Sequence, residues 1–206
     1  MGTALSEMYQ YMMPELPGCP KPLIIQHLRE TIREWAYRTQ AWEQDLNDID
    51  IVDGTSDYEL DSPVEDTEIA GLVHRPSDDV GVHYDGRLLS PGVEYTIPVA
   101  KDVIHLVSAP VADLTDGLEI TAVLTLANDA TASSEVPDRL FQDYRQTWAY
   151  GAMSRLMLMK GKKWSDKETG ILYHNIYWDA IRLAIGERTR GRTNRSLRVQ
   201  HPAAFA

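Results

Sequence analysis

The chain has 206 residues, 43% of them hydrophobic, and a formal net charge of −11. That apolar content suits one packed domain, or one with a sizeable insertion, and excludes a disordered chain. No apolar run approaches the roughly 20 residues of a membrane-spanning helix, no basic-then-apolar signal peptide opens the sequence, and a lone Cys19 excludes a disulfide framework or a cysteine zinc cluster. Synthesis and folding in a reducing cytoplasm are expected.

The charge is unevenly spread. Residues 43–135 hold 21 Asp/Glu against Arg75, Arg87 and Lys101, a net of −18. Residues 160–206 hold 10 Lys/Arg against 4 acids, a net of +6. The acidic middle repels nucleic acid over roughly 8 Å at physiological salt. Two surfaces with different partners are expected, although an acidic face also serves solubility alone.

In chain order, residues 3–13 read as a short helix with Thr3 as N-cap and Leu5, Met8, Tyr9 and Met12 on one side. Pro14 to Pro20 breaks it, and Cys19 there reads as a small packed hydrophobe. A second helix is expected from about Pro22 to Trp42, with Ile25, Leu28, Ile32, Trp35, Ala36 and Thr39 buried and Arg29, Glu30, Arg33 and Glu34 outside. The period then shortens to two. Strands are expected around Ile49–Val52, Tyr58–Leu60, Glu68–Val73, Val93–Ile97 and Val103–Val107, with a hairpin at Asp85-Gly86 between Val82–Tyr84 and Arg87–Leu89. Leu118, Ile120, Ala122, Leu124 and Leu126 alternate with Glu119, Thr121, Val123 and Thr125, the pattern of a half-buried antiparallel strand.

Pro137 to Ile185 organises the chain as two helices and a turn. Phe141, Tyr144, Trp148, Ala152, Leu156 and Met159 share one face of the first helix. Gly151 within it predicts a close contact, and Lys160-Gly161 closes it. Ser165 and Glu168 have capping-box spacing for the second helix, which presents Leu172, Tyr173, Ile176, Tyr177, Ala180 and Ala184 before Gly186. The predicted fold is therefore α+β: a helical core (residues 1–47 and 128–186, an N-terminal helix plus a C-terminal helical hairpin), an inserted antiparallel β-domain (48–127) and an extended basic C-terminal arm (187–206). Trp35, Trp42, Trp148, Trp164 and Trp178 are expected in the core, with one or two in an inter-subunit seam.

No sequence motif of an enzyme is present: no Walker glycine loop, G-x-S-x-G, H-E-x-x-H or EF-hand loop. No catalytic residue, cofactor or metal site is expected. His83-Tyr84-Asp85 and Asp78-Asp79 are the nearest approaches to a ligand set, and a hairpin turn and a polar loop account for them more simply. The arm is the most informative exposed feature. Arg188, Arg190, Arg192, Arg195 and Arg198 recur every two or three residues, and Phe205 lies near the end. Guanidinium forks suit carboxylates or phosphates, so the arm reads as a segment that docks into an acidic groove and orders on binding, as a flexible tail, or as a nucleic-acid contact; the Phe205 anchor favours docking.

The helix with Arg-Glu-Trp-Ala-Tyr-Arg-Thr (33–39), the strand-rich insert with Tyr-Asp-Gly-Arg-Leu-Leu-Ser-Pro (84–91), and the hairpin with Tyr-Gly-Ala-Met-Ser-Arg-Leu-Met (150–157) and Lys-Trp-Ser-Asp (163–166) follow one another in an order that resembles the head-to-tail adaptor (connector) proteins of tailed bacteriophages. The resemblance covers most of residues 5–185. It implies a structural virion protein, made in the bacterial host cytoplasm and placed in the neck between capsid and tail, forming a ring below the portal protein, twelvefold in symmetry. Such a ring extends the DNA channel, receives tail tube or nozzle proteins, lets packaged DNA pass without specific binding, and meets no membrane. The resemblance also implies that Arg188, Arg190, Arg192, Arg195, Arg198 and Phe205 form the portal-binding arm. The alternative is a receptor- or carbohydrate-binding module in which Tyr58, Tyr84 and Tyr95 of the β-domain stack on a sugar. A nucleic-acid-binding regulator using the arm is a third reading, which the acidic middle opposes.

Overall fold

The computed structural model describes residues 2–97 and 102–189. The fold is α+β, with N- and C-terminal helices flanking a central antiparallel β-sheet region.

The chain starts with a strand. Gly2–Ala4 (β1) pairs antiparallel with Glu135–Pro137 (β11). The Leu5 N–H donates to the Ser134 carbonyl at 3.0 Å and the Ser6 N–H to Ala132 at 2.9 Å. The Thr3 hydroxyl donates to Asp138 Oδ1 at 2.7 Å. Thr3 is therefore not an N-cap: the strand pairing uses the backbone that a first helical turn would have needed. Three short turns follow, two of them 3₁₀ (Leu5–Met8 and Met13–Glu15) around the brief α1 (Tyr9–Met12). They bury Leu5, Met8, Met12 and Leu16 completely.

Helix α2 spans Lys21–Thr39, and Gln40 closes it in the left-handed conformation (φ 51). The predicted stripe is buried, with Ile24 and Thr31 added. Trp42 lies beyond the helix, also buried, and its carbonyl accepts from the Leu124 N–H at 2.9 Å. The expected helix end at Trp42 is thus displaced, because this residue already belongs to a sheet ladder.

The sheet is built on one long strand, β10 (Leu114–Leu126). β2 (Glu43–Asp45) and β3 (Ile49–Ile51) pair along one side of it, and β5 (Thr67–Leu72) and β6 (Val82–Tyr84) along the other, with β7 (Arg87–Leu88) outside β6. A separate three-stranded sheet runs β4 (Asp57–Glu59), β9 (Val103–Leu106), β8 (Tyr95–Thr96). The strands of the β region begin at Glu43, ahead of the expected boundary at 48. β10 is also buried more deeply than alternation predicts. Val123 and Thr125, on the expected polar side, are buried, and Val123 packs with Ala70 and Val73 in a small second cluster.

One apolar cluster runs from Leu5 through α2 and β10 to Tyr177 and Ile181, so helices and main sheet share a core. Helix α3 (Asp138–Met157) supplies Trp148, which meets Trp35 edge-on at 5.2 Å. Helix α4 (Lys167–Thr189) packs on α3 and continues through Gly186. The helical core is also tied to the sheet by Arg33. Its guanidinium donates to the Leu126 carbonyl and to Glu68 Oε1, the latter at 2.6 Å. Replacing Arg33 with Met removes both partners at a largely buried position, and chemical denaturation is expected to show a loss of about 1–3 kcal/mol.

Candidate assembly surfaces

The most exposed apolar row on the helices belongs to α4. Asp166 caps this helix: its Oδ1 accepts from the Glu168 and Thr169 N–H groups, each at 3.1 Å, and its Oδ2 from the Thr169 hydroxyl at 2.7 Å. The Thr169 hydroxyl first, and then the backbone donors, hold the Asp166 carboxyl below the usual carboxylate range. The expected Ser165 and Glu168 box does not form, because Ser165 turns back to the Met159 carbonyl. Gly161, at φ +71, makes the left-handed turn expected of it.

The buried side of α4 is Tyr177, Ile181 and Ala184, with Tyr173 beside them. The Tyr177 hydroxyl donates to the Thr31 carbonyl at 3.2 Å, and burial pushes its phenol well above the ordinary range. Gly151 faces this ring, and a Cβ added there would stand 2.5 Å from Thr31 Cγ2 and 2.8 Å from Tyr177 Cδ2. The predicted close contact is thus a junction of α2, α3 and α4.

Of the apolar residues expected on this helix, Leu172 and Ile176 point outward. Leu172 is 56% exposed, Ile176 37% and Leu183 63%. They fall at steps of four and seven residues, a single row about a third of a turn round the helix from Tyr177. The reason is composition: α4 carries apolar residues over more than one face, and one α3–α4 seam buries only one of them. That surplus is the signal that could have found the row.

The loops of the β region carry a second set of exposed apolar side chains. The Gly54 N–H donates to the Pro110 carbonyl at 2.9 Å, the Asp53 N–H to Asp113 Oδ1 at 2.8 Å, and the Val107 N–H to the Glu94 carbonyl at 2.9 Å. The first two bonds join the loops of Val52 and Val111 and the third those of Val93 and Val107; all four valines are exposed, Val111 to 90%. The tyrosines proposed for sugar stacking do not form a platform. Tyr58 and Tyr95 are buried, and Tyr58 spends its hydroxyl on the Thr55 carbonyl at 2.9 Å.

A third feature is a pair of arginines at the end of α4. Arg188 lies inside the helix, not in an extended arm. Its Nε stands 3.6 Å from Glu43 Oε1, the atom that Arg75 Nη1 approaches at 2.5 Å. Glu43 therefore joins the last turn of α4 to β2 and to the loop after β5. Arg190, Arg192, Arg195, Arg198 and Phe205 lie outside the described residues.

Among the described residues, no three His, Cys, Asp or Glu side chains come together as a metal-ligand group. His83 Nε2 is 3.3 Å from Asp79 Oδ1, and Asp85 has the positive φ of a hairpin turn. His105 Nδ1 pairs with Asp57 across strands at 2.6 Å. Burial lowers the pKa of His27, against the pull of Glu30. No described helix is long and apolar enough to cross a membrane. Compared with models of known protein families, the chain matches none. A comparison with curated proteins likewise finds no match.

Proposed function

We propose that this protein is a structural component of a tailed-bacteriophage neck: a head-to-tail adaptor that assembles as a ring beneath the portal, extends the DNA channel and presents the surface to which the tail attaches. The observation that carries the reading is the outward row Leu172, Ile176 and Leu183 on α4. Contiguous exposed apolar surface on a packed scaffold marks an association site, and a row on a helix braced by α2 and α3 is rigid enough to set the angle between neighbouring copies. The occupant assigned to it is a second copy of this chain.

The rest of the molecule is compatible with the same role. The order of local strings resembles adaptors, the exposed valines in the loops of the β region offer contacts for a tail component, and an acidic wall repels passing DNA. The basic segment beyond Thr189 supplies the contact to the portal.

The test is native mass of the purified chain, alone and mixed with the portal protein of the same virus. A defined high-order complex is expected at micromolar concentrations, lost when residues 190–206 are removed. A complex that survives the deletion keeps the adaptor and moves the portal contact to the helices. No association at all would sink the adaptor reading, and a glycan-binding screen would then test the β region.

A further inference from the structure

β2 and β3 form an edge of the main sheet. Both pair with β10 on one side, and no strand among the described residues lies along the other. The Trp42 carbonyl and the Leu46 N–H bond to β10, so the alternate peptide groups of Glu43 and Asp45 turn outward, as an antiparallel ladder requires. An open edge of this kind is a template for an added extended segment. Residues 43–53 carry five acids, Glu43, Asp45, Asp48, Asp50 and Asp53, and no base. All but Glu43 are exposed.

The end of α4 lies at the first of these acids, through the 3.6 Å approach of Arg188 to Glu43. The sequence beyond continues the match. From Arg188, the arginines at 190, 195 and 198 follow at intervals of 2, 5 and 3 residues, and from Glu43, Asp45, Asp50 and Asp53 follow at the same intervals. Along β2 and β3 two extended segments rise by nearly equal lengths per residue, and Asp53 lies in the turn just beyond β3. In that alignment Arg190, Arg195 and Arg198 stand opposite Asp45, Asp50 and Asp53, while Arg192 falls opposite Asn47 and Asp48 opposite Thr193. Residues 190–206 hold four arginines and no acid. Asp45 and Asp50 each already accept one hydrogen bond, from the Thr121 hydroxyl at 2.8 Å and the Asp116 N–H at 2.9 Å, and a carboxylate has capacity for more.

We propose that the acidic β2–β3 edge is a docking strip for the arginine-rich segment 190–206 of the same chain. The strip holds the segment in place until a stronger acidic partner competes for it. This inference goes beyond the adaptor reading and does not depend on it, since the chain alone contains both halves.

The test is hydrogen exchange on the full chain at low salt. Amides of residues 190–198 are expected to exchange about tenfold more slowly than in a free peptide of the same sequence. The protection is expected to vanish near 1 M salt, where the screening length is about 3 Å. It should vanish equally in Asp45→Asn/Asp50→Asn/Asp53→Asn and in Arg190→Gln/Arg195→Gln/Arg198→Gln. The second variant touches no described residue, so a folding defect in the first cannot mimic the result. Combining Asp45→Arg/Asp50→Arg/Asp53→Arg with Arg190→Glu/Arg195→Glu/Arg198→Glu should restore it. Free-peptide exchange in the wild type overturns the proposal. So does protection that survives neutralising the strip, and so does protection that rises with protein concentration, which would place the segment on a second copy.

Discussion

Leu172→Glu/Leu183→Glu is expected to abolish ring assembly while leaving the subunit folded. Both side chains are more than half exposed, so their replacement should change unfolding stability by no more than about 0.5 kcal/mol. In a ring they would be covered. Burying a leucine contributes about 1.5–3 kcal/mol, and a carboxylate in its place must be desolvated instead. Two such changes per subunit should weaken each contact on the order of a hundredfold or more. Native mass of the variant with portal, beside its thermal melt, separates the two effects. Assembly at wild-type concentration would show that the α4 row is not the seam.

Gly151→Ala should lower the melting temperature, although the same change in an exposed helix raises it. Alanine improves helix propensity by about 1 kcal/mol. Here the new methyl meets Thr31 and the Tyr177 ring at 2.5–2.8 Å, and overpacking of this kind costs about 1–3 kcal/mol. Tyr177 cannot step aside freely, because it is buried and bonded to the Thr31 carbonyl. The clash is expected to win narrowly for Ala and clearly for Val, whose extra methyls should bring the fall to about 5–10 °C in a chain of this size. A rise on Gly151→Ala would show that α2, α3 and α4 do not meet as closely as described.

Periodicity made the helices and the long strand legible, because those patterns answer to a core contained in one chain. Ile25, Leu28, Ile32, Trp35 and Ala36 sit where a 3.6-residue repeat puts them. The N-terminal strand was not legible. Thr3, Leu5, Met8 and Met12 fit a helix locally, and only residues 135–138, distant in sequence, decide otherwise. β2 was hidden for a similar reason: Glu43-Gln44-Asp45 has no strand propensity of its own and is held by β10. The exposure of Leu172 and Ile176 was not legible, and Leu183 was not singled out, because periodicity says that a residue is apolar on a given face, not whether that face has a partner. The role of Glu43 depends on two arginines far away along the chain, a convergence that no local pattern encodes.

The pairing of β1 with β11 bears on how the molecule is made. Residues 2–4 close against 135–137, and Thr3 bonds to Asp138. A ribosome adding about 5–20 residues per second takes on the order of ten seconds to reach that point. During that interval the segment bearing Leu5, Met8 and Met12 has α2 beside it but neither its strand partner nor α3, and long-range closure of this kind is the slow kind. Closure of the N-terminal segment therefore waits on one short strand, and is complete only after residue 138 has emerged.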